Sequence, residues 1–503
     1  MGAIKVGGEK KVDLDDVLDR YGIFGRYHGG LMCLLFLGFL SNQMYSSNFV
    51  FAAEEVTYRC KYDTEKSDQC AANSTYQCSE WVYDDPDSFV AYFNLACQDW
   101  KRTFVGTVHS FGYMCGLLLV GPMSDKFGRK NTAIVLGVLG GLFGVIRSFS
   151  TWYWFYIAME FMEAALGDTC SPLYVFCLEI VSTKKRLTFY MLCGFGYAIG
   201  GATLAVAAWL TPNWRWLLRS IYAPAFLFIS YKYLMDESPR WLLVKGRKDE
   251  AIKVLTNAAK KNKIDIDKNS LDKLTCEVSP NVTFNELIRN TFSSKQLRRR
   301  FFICLVWWVT STFVNYGLMI NSVSLQGNKY INFALTSLVD IPGILIITYV
   351  LIKFKRKLPL MLSFFTGAVL CIAQPFLPNL PWLSILFYMT SKLMSSFYFS
   401  ITYLYTSELF PTYTRNSMHA LCSSLGRVGS IIAPQTPLLV TYWSGLPSLV
   451  FGFAALIAGL TTLLVPDVSN DSLPDTVHQA EALGKSKKAL EARNEDISRQ
   501  TIN

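Results

Sequence analysis

Twelve apolar blocks separated by polar connections run along the chain, at residues 28–50, 104–122, 131–148, 152–176, 188–210, 216–235, 301–320, 331–352, 359–377, 381–406, 417–438 and 445–465. Crossing a hydrocarbon core takes roughly 20 residues of helix, and the blocks are of that order. Block length rather than periodicity carries this reading. It predicts an all-α membrane protein with twelve transmembrane helices.

Composition agrees. Of 503 residues, 51% are hydrophobic and only 17% charged, too apolar for a soluble chain of this size. The net charge of +10 could suggest nucleic acid, but the excess cations sit between the spans, so no nucleic-acid partner is expected. Lys126, Arg129 and Lys130 follow span two; Lys184, Lys185 and Arg186 follow span four; Lys353, Lys355, Arg356 and Lys357 follow span eight. Short basic connections face the cytoplasm. The basic stretch 244–300 and both termini then lie inside, and the acidic loop 51–100 lies outside.

That outer loop holds Cys60, Cys70, Cys78 and Cys97, which imply two disulfides on an oxidising side with their pairing open. It also holds Asn73-Ser74-Thr75, a reachable glycosylation acceptor, whereas Asn281-Val282-Thr283 falls in a cytoplasmic stretch. Charge, cysteines and sugar acceptor agree on one topology. The first apolar block is full length and lacks a small-residue cleavage site, so the first span is expected to do the targeting. The expected organisation is a cytoplasmic segment 1–27, a six-helix half 28–235 with outer loop 51–103, a cytoplasmic central loop 236–300, a second half 301–466 and a disordered tail 467–503. Within the central loop, 249–261 reads as an amphipathic helix lying on the cytoplasmic face.

The halves resemble each other at a shift of about 229 residues. Glu179 and Arg186 close span four as Glu408 and Arg415 close span ten, and the loop from Asp125 to Lys130 has a degraded counterpart from Ile352 to Lys357. One six-span unit used twice makes two pseudo-symmetric halves and favours alternating access between them.

The connection from Gly121 to Lys130, GPMSDKFGRK, resembles the signature loop of the major facilitator superfamily. Glu237-Ser238-Pro239-Arg240-Trp241-Leu242-Leu243, Asn213-Trp214-Arg215, and the stretch from Thr406 to Thr412 with Arg415-Asn416 resemble the organic cation, anion and carnitine transporter family, most closely its insect organic cation transporter branch. The resemblance runs from about residue 20 to 467. It implies the major facilitator fold and ATP-independent movement of small organic ions. It also implies gating by Asp125, Arg129, Glu179, Arg186, Glu237, Arg240, Glu408 and Arg415.

Ionisable groups inside spans mark candidate substrate contacts, because charge at membrane depth is costly. Glu160 and Glu163 lie one turn apart in span four, Asp340 in span eight, Lys392 in span ten and Arg427 in span eleven. Glu163 and Lys392 are equivalent under the repeat. An organic cation would use the glutamates with the rings of Trp308 and Tyr316; a carboxylate-bearing substrate would use Arg427 and Lys392. Both signs together favour a cation or a carnitine-like zwitterion. The competing structural expectation pairs Glu160 with Arg147 or Arg219, and gives His109 a packing role. Arg427 stands where many vertebrate organic cation transporters have an acid, and Glu160 where they commonly have Arg.

The leading expectation is therefore a plasma-membrane secondary transporter with a small organic ion substrate and the lipid bilayer as partners, working as a monomer, with its coupling ion undefined. An anion or sugar carrier of the same superfamily is the first alternative, and a non-cycling membrane sensor or scaffold the second. No metal-ligand cluster, nucleophile arrangement or phosphate-cradling loop is visible, so neither enzyme activity, metal nor cofactor is expected.

Overall fold

The structure, a computed structural model, describes residues 12–61, 70, 78, 80–264, 271, 274–275, 292–378 and 380–467. Asn73, Asn281, Thr283 and the tail after Asp467 lie outside them. The chain divides into two compact units, Met1–Pro280 and Asn281–Asn503. Among the described residues, the regular structure is helical apart from two short strand pairings.

Among the described residues, six helices are long and apolar enough to cross a membrane unaided: Asp99–Phe127, Arg129–Arg147, Thr188–Leu210, Lys295–Ser324, Lys329–Lys353 and Lys357–Phe376. The other expected spans are helical but interrupted, shorter or more polar. Span four breaks between Tyr153–Leu166 and Cys170–Glu179. At the break Asp168 Oδ1 accepts the backbone N–H groups of Cys170 at 2.9 Å and Ser171 at 3.3 Å, restarting the helix. Span six passes from Trp214–Tyr222 into the tighter 3₁₀ segment Ala223–Ser230, which contains Pro224. Span eleven does the same, from Thr412–Gly426 through Val428–Ile432 to Ala433–Thr441, where Pro434 and Pro437 remove N–H donors.

In the first unit, span one packs along span five, span two along span four, and span three against spans four and six. In the second, span seven packs along span eleven, span eight along span ten, and span nine against spans ten and twelve. Adding six to each number of the first set yields the second, so the internal repeat is a repeat of packing. Small residues permit the close approaches: a Cβ on Gly112 of span two would lie 2.8 Å from the carbonyl oxygen of Phe161 in span four.

Within the central segment, Lys248–Asn262 is the amphipathic helix expected there, burying Ala251, Leu255, Ala258 and Ala259. It holds the start of the chain: Tyr21 donates to Leu255 O at 2.9 Å, and Asn262 Oδ1 accepts Tyr27 N–H at 2.9 Å. Outside the bundle, Cys60 bonds Cys78 and Cys70 bonds Cys97. The strand Tyr58–Cys60 pairs antiparallel with Trp81–Tyr83 beside the first bridge.

Candidate functional site

The loop between spans two and three is tight because Gly128 adopts φ +97°, a conformation that favours glycine. That turn starts span three at Arg129, which is buried and ties four chain segments together. Its Nη2 meets Glu179 at 2.9 Å, and its Nη1 donates to Asp125 Oδ1 at 2.8 Å and to Ser124 O at 2.9 Å. Glu237 Oε1 accepts the backbone N–H groups of Arg129 at 3.0 Å and Ser238 at 2.9 Å, and its carboxylate also takes that of Lys130 at 3.2 Å. Burial pushes the Glu237 carboxyl up, and these three N–H donors pull against that rise. Trp241 Nε1 donates to Asp125 O at 2.9 Å, so the segment after span six closes over the loop.

The second half repeats the device in reduced form. Arg356 Nε reaches Glu408 Oε1 at 3.2 Å, and its Nη1 donates to Leu351 O at 2.6 Å, five residues back, as Arg129 does to Ser124. Lys357 donates to Leu463 O at 3.2 Å, matching Lys130 on Lys232 O at 3.0 Å. Ile352 stands at the Asp125 position and offers no carboxylate. Arg356 was absent from the gating residues expected from sequence; the degraded repeat of the loop was the available signal.

Of the remaining gating candidates, Arg240 pairs with Asp15 at 2.9 Å and Arg186 Nε donates to Leu178 O at 2.8 Å. Arg415 is half-buried in the first helix of span eleven. Asp15 also accepts from Thr183, and Asp19 pairs with Lys184 at 2.9 Å, so the helix Leu14–Asp19 straps the loop after span four. The Asp15 carboxyl is pushed up by burial, but the Thr183 hydrogen bonds and the Arg240 and Arg186 charges outweigh this and hold it below the usual range. The signal for this strap in the sequence is the charge complementarity of acidic Leu14–Asp19 with basic 184–186.

Deep in the first half, Arg147 of span three is fully buried and pairs with Glu160 of span four. The structural expectation for Glu160 is thus met by Arg147 rather than by Arg219, which bonds Ser148 Oγ at 3.1 Å. Arg147 Nη2 also donates to Asn48 Oδ1 at 2.9 Å and to the Tyr222 hydroxyl at 3.3 Å, and the guanidinium sits 5.3 Å from the ring centres of Tyr156 and Tyr222. His109 Nδ1 lies 2.8 Å from Glu160 Oε1 and 3.6 Å from Glu163 Oε2. One atom each of His109, Glu160 and Glu163 falls within 4.8 Å of the others, a spacing that could hold a metal ion, although the guanidinium beside them opposes a divalent cation.

The second half carries a different set. Lys392, 2% exposed, reaches Asp340 at 3.2 Å and also donates to Asn315 Oδ1. Ser396 donates to Asp340 as well. Arg427 Nη1 donates to the Tyr316 hydroxyl at 3.0 Å, and both side chains are half-buried. Trp308, 1% exposed, donates Nε1 to Thr406 Oγ1 at 3.0 Å and packs against Tyr403 and His419. Its ring is core in this conformation. Glu163 and Lys392 keep their repeat equivalence, buried alike, and each meets its ionisable neighbour within its own half.

A family model described as "Sugar (and other) transporter" matches residues 33–476. The "Organic cation transporter protein" of Drosophila melanogaster is 29% identical, over 96% of this chain and 97% of its own length. "Solute carrier family 22 member 1" of Oryctolagus cuniculus is 32% identical, over 82% of this chain and 75% of its own. Among solved structures, a partially occluded inward-open conformation of the xylose transporter XylE from E. coli aligns with a TM-score of 0.64 over 88% of this chain and 100% of that one. At 16% identity that likeness speaks for the fold alone. Duplicated six-span packing, an arginine–glutamate pair repeated in each half and these relatives lead to one assignment: the chain is a membrane transporter, not an enzyme, and belongs to solute carrier family 22 within the major facilitator fold.

Proposed function

We propose that this chain is a plasma-membrane carrier, multi-pass with both termini cytoplasmic, that moves small organic cations or carnitine-like zwitterions by alternating access without ATP, acting as a monomer. The observation that carries the reading is ionisable groups of both signs within the spans: Glu163 in the first half, and Asp340, Lys392 and Arg427 in the second. A neutral sugar needs amides and hydroxyls and leaves such charges without a task. The printed names of the fly and rabbit relatives point the same way.

Glu163, Asp340, Tyr316, Lys392 and Arg427 are the proposed substrate contacts, with Glu160 and Trp308 supporting them through Arg147 and Thr406. Asp125, Arg129, Glu179 and Glu237, with Arg356 and Glu408, are the proposed latches. Two arginine latches built on the same plan support a cycling carrier over a static sensor. Glycosylation of Asn73 belongs to the same proposal, since it places loop 51–103 outside.

The test is uptake into cells expressing the chain, comparing radiolabelled tetraethylammonium, carnitine and para-aminohippurate with and without sodium. Uptake of tetraethylammonium or carnitine above that of mock cells is the expected result. Surface-expressed protein that moves neither overturns the proposal.

A further inference from the structure

Span six carries two arginines, Arg215 and Arg219, at the end opposite the basic segment 244–300 that follows it. Lys and Arg gather on the other side of the spans, so each of these two needs an account of what it holds. Their spacing of four residues puts both on one face of the helix Trp214–Tyr222, over the turn 148–150 between spans three and four. Arg215 is taken up by the protein. Its Nη2 donates to Ser150 O at 2.9 Å, and its guanidinium lies 4.0 Å and 5.0 Å from the ring centres of Tyr92 and Trp214.

For Arg219 the protein supplies less. Its Nε donates to Ser148 Oγ at 3.1 Å, and its guanidinium lies 4.3 Å from the ring centre of Phe149 and 4.8 Å from that of Trp216. Among the described residues, its two Nη groups have no hydrogen-bond partner and no carboxylate pairs with it. Phe149 and Trp216 are each 61% exposed and Trp152, just past the turn, is 64% exposed, so this face opens away from the bundle. Exposed tryptophans at a span end mark the interfacial level of a bilayer. Arg219 stands five residues into its helix, roughly 7–8 Å from the start at 1.5 Å per residue, near the headgroup region rather than the centre of the hydrocarbon core.

A guanidinium at that level with its outer N–H groups free has a matching counter-ion in the bilayer itself. The phosphodiester of a glycerophospholipid presents two non-bridging oxygens, which suit the planar fork of an arginine. We propose that Arg219, with the rings of Phe149 and Trp216, forms a binding site for the phosphodiester of one glycerophospholipid at the rim of spans three and six. The Nη groups take the phosphate oxygens, and the two rings pack against the glycerol and the upper acyl chains. Because Nε is anchored on Ser148, next to the buried Arg147, the bound lipid braces the turn after span three against span six. In the topology proposed above, this is the outer leaflet. The site requires only that the chain lies in a bilayer, so failure of organic-cation uptake leaves it standing.

The test melts full-length, delipidated protein in detergent, as wild type and as Arg219→Leu. Each is melted alone and with rising amounts of palmitoyl-oleoyl phosphatidylcholine, the corresponding phosphatidylglycerol, or dioleoylglycerol, which lacks phosphate. Every protein is compared with its own lipid-free melting temperature, so a general loss of stability does not imitate a loss of binding. Both phospholipids are expected to raise the wild-type melting temperature, and dioleoylglycerol is not. For Arg219→Leu the phospholipid concentration that gives half of the rise is expected to increase roughly 10- to 100-fold, the worth of a charge-assisted hydrogen bond. A larger wild-type effect of phosphatidylglycerol assigns the site to anionic lipids, and equal effects assign it to the phosphodiester that both share. No rise with either phospholipid, dioleoylglycerol as effective as they are, or an Arg219→Leu protein that keeps their full effect at the same concentration overturns the site. Arg219→Gln replaces the Leu variant if the latter does not accumulate.

Discussion

Replacing Arg147 with Met tests whether the first-half cluster is a structural pair or a free binding charge. The guanidinium is fully buried and serves Glu160, Asn48 and Tyr222 at once. Removing one partner of such a pair strands the other, at a cost of about 3–5 kcal/mol. Glu160 keeps His109 Nδ1 at 2.8 Å, so the low end applies, ~3 kcal/mol or roughly a 150-fold shift in the folding equilibrium. Arg147→Met combined with Glu160→Gln removes both charges and should recover at least half of that loss, because neighbouring charges couple strongly in double-mutant cycles. The assay is the apparent melting temperature of detergent-purified protein, with surface abundance in cells alongside. The expected order is wild type, then double variant, then single variant. A double variant no better than Arg147→Met would refute the pairing as the reason for the burial.

Arg427→Ala should impair uptake of carboxylate-bearing zwitterions by roughly 10- to 100-fold, the worth of a charge-assisted hydrogen bond, and spare tetraethylammonium. Equal loss for both would assign Arg427 and its contact with Tyr316 to structure. For the N-terminal strap the sign follows from a lowered Asp15 carboxyl: its contribution is present above the ordinary carboxylate range and is lost as pH falls through the folded value. Hydrogen exchange of residues 14–19 should therefore lose protection on acidification in wild type, while Asp15→Asn should be unprotected at neutral pH already. Non-reducing peptide mapping should recover Cys60 linked to Cys78 and Cys70 to Cys97, and breaking either bridge, which close separations of 18 and 27 residues, should cost about 3 kcal/mol. Recovery of any other pairing would contradict the structure of this cysteine loop.

Much of the proposed gating network was legible because it is local. Asp125 and Arg129 are four residues apart on either side of the Gly128 turn, and the loop that carries them is contiguous. Glu237, also expected as a gating residue, was found by its surrounding motif, but its action was not legible: it binds backbone N–H groups, which every residue type offers. Arg356, its counterpart in the second half, was hidden by the loss of the aspartate at Ile352.

By itself the sequence determined the membrane class, the expected spans and the repeat. Those follow from sums along the chain: transfer of consecutive apolar residues into lipid depends on how many there are, and the bilayer's thickness sets how many suffice. Short-range motif spacing likewise survives without coordinates. Tertiary structure decided what depends on which helix faces which. It paired Cys60 with Cys78 and Cys70 with Cys97, and broke spans four, six and eleven at Asp168, Pro224 and Pro434. It gave Glu160 both Arg147 and His109 while leaving Glu163 Oε2 no nearer than 3.6 Å to that imidazole, and it sank Trp308 into the core. Glu160 and Glu163 share one helix face and one residue type, yet meet different fates, because the energy of a buried charge is set by the groups that neighbouring helices bring within a few ångströms.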